Sequence, residues 1–410
     1  MPTSQREFAE TVVRQLRDAG HQSLWAGGCV RDELLGRTPN DYDVATSARP
    51  DQVRELFGHK RTLAIGAAFG VISVLGSKKL APIEVATFRS DGAYIDGRHP
   101  EGVTYTTPEE DAKRRDFTIN GMFYDPLKEK VVDFVEGQRD LEQGIIRAIG
   151  DPVARFSEDK LRMLRAVRFA TTFGFQIDEP TQQAIRAMAS EVNVVSAERI
   201  GAELRRLLVH ASRKFGVKLL RQTELLEPLI PELSHQDPSS WNRTLQNLEQ
   251  LEANSLAVSL AALLAQCQQP ELVGKLGRRF RFTNKEIEHG TWLLRSLPSV
   301  REAAKLPWPQ LQRLLVHDGA TDLITLADAI LGRDHQGVKE CRRRLAQSVE
   351  KLNPQPLLTG ENLIALGVKP GPNFALILQH IRDEQLLGRI NNRQEAERLA
   401  AEWLQEHSSS

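Results

Sequence analysis

The chain has 410 residues, too many for one compact core; with 40% hydrophobic and 26% charged residues it reads as a soluble globular protein of two to four domains. Its 54 Lys and Arg equal its 54 Asp and Glu, so a nucleic-acid partner must meet local basic patches, because there is no global positive field. Cys29, Cys267 and Cys341 are too far apart for a disulfide framework or zinc spacing; with a polar start over residues 1–10 and no long apolar run, a cytoplasmic protein with no membrane contact is expected.

An amphipathic helix is expected over 3–19, where Phe8, Val12 and Leu16 share a face, Thr3 or Ser4 can cap, and Gly20 ends it. Residues 24–43 then concentrate chemistry. An apolar run over 24–26 meets Gly27 and Gly28, a short helix over 29–35 stops at Gly36, and Asp41-Tyr42-Asp43-Val44-Ala45 reads as a strand. A period of two puts Asp41 and Asp43 on one face and Tyr42 on the other. Two adjacent carboxylates repel unless cations sit between them; Mg²⁺ is a usual partner and brings phosphates with it. Gly27 and Gly28 let the backbone approach a ligand, the helix start favours an anion, and Arg31 offers a fixed fork to phosphate. A turn or a solvated strand end would account for each feature singly. Their order and spacing describe a nucleoside triphosphate site.

A helix over 51–57 led by Pro50 and strands over 71–75 and 82–88 follow. Glu84 lies inside the second strand: either a Glu on the solvent face of an edge strand, or a third carboxylate beside Asp41 and Asp43. Residues 89–100 are polar and Gly-rich and read as a loop. Lys113-Arg114-Arg115-Asp116 is either a solvated charge cluster or a site where Arg115 and Asp116 reach a nucleotide's sugar and phosphates. A strand is expected over 131–134, and none after about residue 150, where helical period takes over.

In that helical part, Ser157 can cap a helix over 157–170, and Asp159 and Arg162 lie three apart on it, where their side chains can meet. Arg165 and Arg168 continue the step toward a second ligand group or the sheet. An exposed ion pair is the plain reading. A carboxylate that accepts beside a guanidinium that donates also matches the pairing edges of cytosine and adenine, and opposes those of guanine and uracil.

These residues resemble class II tRNA nucleotidyltransferases, the CCA-adding enzymes, with bacterial poly(A) polymerases as near relatives. The resemblance rests on Gly27-Gly28-Cys29-Val30-Arg31-Asp32 with Asp41 and Asp43, on Arg114-Arg115-Asp116-Phe117-Thr118-Ile119-Asn120, and on Glu158-Asp159 with Arg162, Arg165 and Arg168. Glu198-Arg199-Ile200 through Glu203 and Leu204, and Leu358-Thr359-Gly360 through Gly367 and Pro370-Gly371-Pro372, extend it over nearly the whole chain. It implies an α+β fold: a nucleotidyltransferase-type mixed-sheet head (1–150), then an all-helical neck (151–215), body (216–350) and tail (351–410). It further implies tRNA, CTP and ATP as substrates and two Mg²⁺ ions on Asp41 and Asp43, one activating the primer 3′-hydroxyl and the other steadying the triphosphate, with Glu84 as the third carboxylate. By the same match Gly27, Gly28 and Arg31 would serve the triphosphate, and Arg115 and Asp116 the ribose. Asp159 and Arg162 would read the base, and Asn120, Arg165 and Arg168 would complete the nucleotide-binding set.

Two departures matter. Many relatives carry a His-Asp phosphohydrolase domain, but here Asn242 and Ala265-Gln266 stand where His and His-Asp are expected, so no such activity is expected. Gly66-Ala67-Ala68-Phe69-Gly70 lacks the paired basic residues of the poly(A) branch, which favours CCA addition over polyadenylation. The segment at Asp91-Gly92 and Asp96-Gly97-Arg98 resembles a loop that CC-only enzymes lack, leaving full CCA addition and A-only addition as alternatives. The basic stretches over 275–285 and at Arg342-Arg343-Arg344 are either tRNA phosphate contacts or solvated helix faces.

Overall fold

A computed structural model describes residues 2, 4–91, 103–253, 255–366, 368 and 372–407. Thr3 as a cap, the loop residues Gly92 and Asp96 to Arg98, the C-terminal element's Gly367, Pro370 and Gly371, and the Ser408 to Ser410 tail fall outside these. The contacts divide the chain into two units, Met1–Gln236 and Asp237–Ser410.

The first unit opens with helix α1 (Gln5–Asp18), capped by Ser4, whose hydroxyl accepts from Glu7 N, and burying Phe8, Val12 and Leu16 as the spacing requires. Strands β1 (Ser23–Ala26), β2 (Asp43–Thr46), β3 (Thr62–Leu63), β4 (Val71–Val74) and β5 (Ile83–Thr87) alternate with helices α2 (Gly28–Leu34) and α3 (Pro50–Phe57). The pair β6 (Arg89–Asp91) and β7 (Val103–Tyr105) and helix α4 (Pro108–Lys113) precede β8 (Phe123–Asp125) and β9 (Lys130–Val132). Strands β1 to β5, β8 and β9 form a seven-stranded sheet in the order β3-β4-β5-β2-β1-β8-β9. It is mixed, because β2 and β5 run parallel while the other pairs are antiparallel. Leu24, Ala26, Ala45, Phe88, Ala112 and Phe123 pack into a buried cluster of this unit. Trp25 is fully buried between Tyr42 and Tyr124, with ring centroids 4.9 and 5.5 Å away.

Beyond the sheet come α5 (Gly137–Gln143), β10 (Ile145–Ile146), α6 (Pro152–Glu158), α7 (Leu161–Phe173), β11 (Gln176–Ile177), α8 (Glu179–Met188) and α9 (Ala197–Val209). Two expectations need correction here. A strand does occur after residue 150: β11 pairs in parallel with β10. Two residues are too few for a strand period to show in sequence. The helix expected over 157–170 is two helices. The first starts earlier, where Asp151 accepts from Val153 N and Ala154 N and Pro152 takes the first position, a stronger start signal than Ser157. It stops at Asp159, whose backbone is extended (φ −149°, ψ 104°), and α7 runs on to Gly174 in the left-handed region at φ 72°.

The second unit is helical throughout its described residues. Helix Pro238–Gln250 carries Asn242, and the fully buried helix Leu256–Leu264 leads into a turn where Gln266 Oε1 accepts from Arg243 Nε at 3.0 Å. Toward the end of the chain, Leu358, Leu363, Ile377, Ile381 and Ala396 form a buried cluster of their own. Among the described residues, no helix is long and apolar enough to cross a membrane.

Candidate active site

The turn from β1 into α2 needs Gly27. Its φ is +75°, and a Cβ there would lie 3.0 Å from Arg115 Nη1. Gly28 opens α2, and Arg31, one turn on, is buried. Arg31 Nε donates to Asp32 Oδ1 at 2.9 Å, Nη1 donates to Asn120 Oδ1 at 2.6 Å, and the guanidinium lies 4.6 Å from the Phe173 ring centre.

Asp43 is the first residue of β2, and Asp41 and Tyr42 precede the strand. Tyr42 points the other way, its hydroxyl donating to Glu33 Oε1 at 2.7 Å. Both aspartates face one cleft. In the parallel register Glu84 sits directly beside Asp43. Because β5 lies between β4 and β2, Glu84 is not on an edge strand, although its side chain is exposed. Burial and the neighbouring charges of Asp41 and Glu84 push the Asp43 carboxyl up to about 6, with Arg115 opposing them. Excess negative charge is therefore gathered at this point.

Helix α4 aims the next group. Asp111, buried at its end, accepts from Arg114 Nε at 2.9 Å and from Arg115 Nε and Nη2 at 3.2 and 3.0 Å. Burial raises the Asp111 carboxyl, yet the two guanidinium groups hold it below the ordinary range. Asp116 draws its donors from farther along the chain. Its Oδ1 accepts from Phe117 N at 2.8 Å and Asn120 Nδ2 at 3.1 Å, and its Oδ2 accepts from Arg165 Nε and Nη2 at 2.9 and 2.6 Å. Against the upward push of burial, Arg165, Asn120 and the Phe117 amide bring Asp116 down to about 2.

Asp159 and Arg162 both line the cleft, but they do not pair with each other as the three-residue spacing suggests. Because Asp159 is extended between two helices, its Oδ1 accepts from Leu161 N at 3.0 Å and its Oδ2 from Arg199 Nη2 at 2.6 Å. Arg162 Nη1 donates to Glu158 Oε2 at 2.5 Å and to the Arg155 carbonyl at 3.0 Å, and Nη2 to the Arg114 carbonyl at 3.3 Å. The two side chains are thus oriented separately.

The cleft, about 600 Å³, brings together Gly27, Gly28, Arg31, Asp41, Asp43, Arg115, Asp116, Asn120, Asp159, Arg162 and Arg165 from the sequence-derived set. Glu84 and Arg168 do not line it. Arg168 pairs with Glu203 and lies 3.7 Å from the Phe169 ring centre. Arg114 and Phe169 line the cleft and were not assigned to it from sequence. Arg114 could have been found in its basic run, and Phe169 by its place four residues after Arg165 on one helix face. Asp111 offered no signal, because its part is to aim other side chains, and Arg199 stood out only as part of the Glu198-Arg199-Ile200 motif, with no role attached. Among the described residues no three His, Cys, Asp or Glu side chains converge as a ready-made metal cage.

Residues 24–147 match the family described as Poly A polymerase head domain, and 174–236 match "Probable RNA and SrmB- binding site of polymerase A". The CCA-adding enzyme of Limosilactobacillus reuteri (strain DSM 20016) is 33% identical over 394 residues, covering 94% of each chain. The structure is similar to that of the Bacillus stearothermophilus CCA-adding enzyme in complex with CTP, with TM-score 0.78, 26% identity and full coverage of both chains. The Thermotoga maritima CCA-adding enzyme complexed with tRNA shares the fold at TM-score 0.70 and 22% identity, over 98% of this chain and 96% of that one.

Proposed function

The chain belongs to the family of CCA-adding enzymes, and from that premise we propose that it adds CMP, CMP and AMP to tRNA 3′ ends from CTP and ATP. Each transfer joins the primer 3′-oxygen to the α-phosphorus and releases pyrophosphate. The observation that carries the reading is one cleft whose sheet side presents Asp41 and Asp43 and whose helical side presents Asp159 and Arg162.

The donor set suits Mg²⁺: two carboxylates on one cleft, one of them pushed up by burial and by its neighbours' negative charge. Asp41 and Asp43 would hold it, with Glu84 adding negative charge beside Asp43. Bound there, Mg²⁺ would make the 3′-hydroxyl a better nucleophile and offset the triphosphate's charge. The remaining work belongs to side chains. Arg31 and the Gly27–Gly28 turn receive phosphates. Arg115, fixed by Asp111, reaches the sugar. Asp116 meets the ribose only by sharing or releasing one of its four present donors. Asp159 accepts an exocyclic amino group and Arg162 donates to a ring nitrogen, which admits C and A and leaves buried groups unpaired against G and U. Arg165 completes the set from α7, and Arg168 acts from behind Phe169. We place the catalytic head at 1–150, the neck at 151–215, a body without phosphohydrolase ligands at 216–350 and the tail at 351–410. We place the reaction in the cytoplasm, where buried thiols such as Cys29 and Cys341 stay reduced.

The test is incorporation of labelled CTP and ATP with Mg²⁺ on tRNA transcripts ending before CCA, after C and after CC. Completion of all three to CCA followed by arrest supports full CCA addition. A single A added only to the CC-ended transcript would restrict the enzyme to A addition, and a long A ladder would make it a poly(A) polymerase.

A further inference from the structure

Asn120 stands in a 3₁₀ turn, Thr118–Asn120, and is only 7% exposed. Its side chain accepts from Arg31 Nη1 at 2.6 Å through Oδ1 and donates to Asp116 Oδ1 at 3.1 Å through Nδ2. Asp116 in turn accepts from Arg165 through Oδ2. The result is one unbroken chain of donors and acceptors, Arg31–Asn120–Asp116–Arg165, running from helix α2 to helix α7 beside the cleft. An amide suits the middle because it both accepts and donates. A guanidinium can only donate and a carboxylate can only accept, so their adapter must do both. The two contacts also fix which end of the amide is oxygen.

We propose that Asn120 is a positioning residue that couples the phosphate end of the cleft to its sugar and base end, and not a group that touches the nucleotide. This rests on the reading of the cleft as a CTP and ATP site. Arg31 and Arg165 lie 134 positions apart in sequence (165 − 31); Asn120 and Asp116 join them by hydrogen bonds, and both guanidinium groups also approach the Phe169 ring, at 5.4 and 5.1 Å from its centre. With the chain intact, a guanidinium displaced at one end disturbs the other. Cutting it at Asn120 removes the hydrogen-bonded link and leaves the two arginines only their shared approach to the Phe169 ring.

The experiment is a pair of double-mutant cycles read by CTP and ATP binding to the full-length protein in calorimetry, without tRNA. Asn120→Ala is expected to weaken both nucleotides by roughly tenfold, the loss of a charge-assisted hydrogen bond. Its penalty should overlap with that of Arg31→Ala and with that of Arg165→Ala, so that each double variant is weaker by less than the product of the single fold-changes. A residue that merely supports the fold would give penalties that multiply. Multiplication in either cycle overturns the inference, because the chain must run through both contacts. Should Asn120→Ala not fold, Asn120→Asp is the same size, still accepts from Arg31 and cannot donate to Asp116. Its penalty should overlap with Arg165→Ala and multiply with Arg31→Ala, and the reverse pattern would overturn the inference. A wild-type protein that binds neither CTP nor ATP would remove the reading of the cleft and this inference together. A wild type that binds both, with multiplying penalties, removes only the inference.

Discussion

Asp43 and Asp116 are both partly buried carboxylates, yet their surroundings push them in opposite directions. Asp43 has Asp41 and Glu84 as neighbours and is raised to about 6, which suits a site made to receive a cation. Asp41→Ala should lower nucleotide transfer by at least roughly a thousandfold, the loss of about 4 kcal/mol of transition-state stabilisation, while tRNA affinity in a filter-binding assay stays within about twofold. Retained activity would remove the metal assignment. Asp116 instead has Arg165, Asn120 and a backbone amide, which bring it to about 2. A carboxyl depressed in the folded state stabilises the fold fully above its unfolded value, near 4, and the contribution fades as pH falls toward 2. The expected gain over Asp116→Asn is about 2 kcal/mol at neutral pH, shrinking between pH 4 and 2, as read by urea denaturation. A stability gap independent of pH would show that Asp116 is not held as an anion. Residue types were legible from sequence at these positions. The partners that set their behaviour were not, because Asp116 and Arg165 are 49 positions apart.

Among the elements, the break between α6 and α7 matters most to recognition. A continuous helix would have placed Asp159 and Arg162 on one face as an ion pair satisfying itself. The extended Asp159 turns its carboxylate to Arg199 on α9, and Arg162 is taken by Glu158. The two side chains thus keep their direction without neutralising each other. Arg162→Ala should blur the choice of C and A over U and G by about tenfold in kcat/KM, the cost of one unpaired recognition group. Unchanged selectivity in single-nucleotide incorporation would sink the recognition argument. The 3.6-residue period showed a helical segment here. The break was hidden because Asp159, whose Oδ1 accepts from Leu161 N, interrupts an otherwise unbroken helical pattern. β8 was missed as well, since its partners β1 and β9 supply the reason for Phe123–Asp125 to be extended.

At the scale of the whole molecule, equal numbers of acidic and basic residues mean that any hold on tRNA must come from local patches. Replacing Arg342, Arg343 and Arg344 together by Gln is expected to weaken tRNA binding and flatten its salt dependence, with CTP and ATP affinity unchanged. No change in the slope of affinity against salt would return that run to the solvent, where Glu340 already engages Arg343 and Arg344. What the sequence determined by itself was local: the glycine turn, the caps and periods of α1 and α3, and the kinds of chemistry along the cleft. These depend on residues within a few positions of one another, so spacing alone exposes them. Only the tertiary structure decided which charges meet. It set Glu84 beside Asp43, gave Asp116 to Arg165 and Asp159 to Arg199, and sent Arg168 behind Phe169. Such pairings arise from strand register and helix packing across tens of residues, and a one-dimensional pattern carries no measure of that distance.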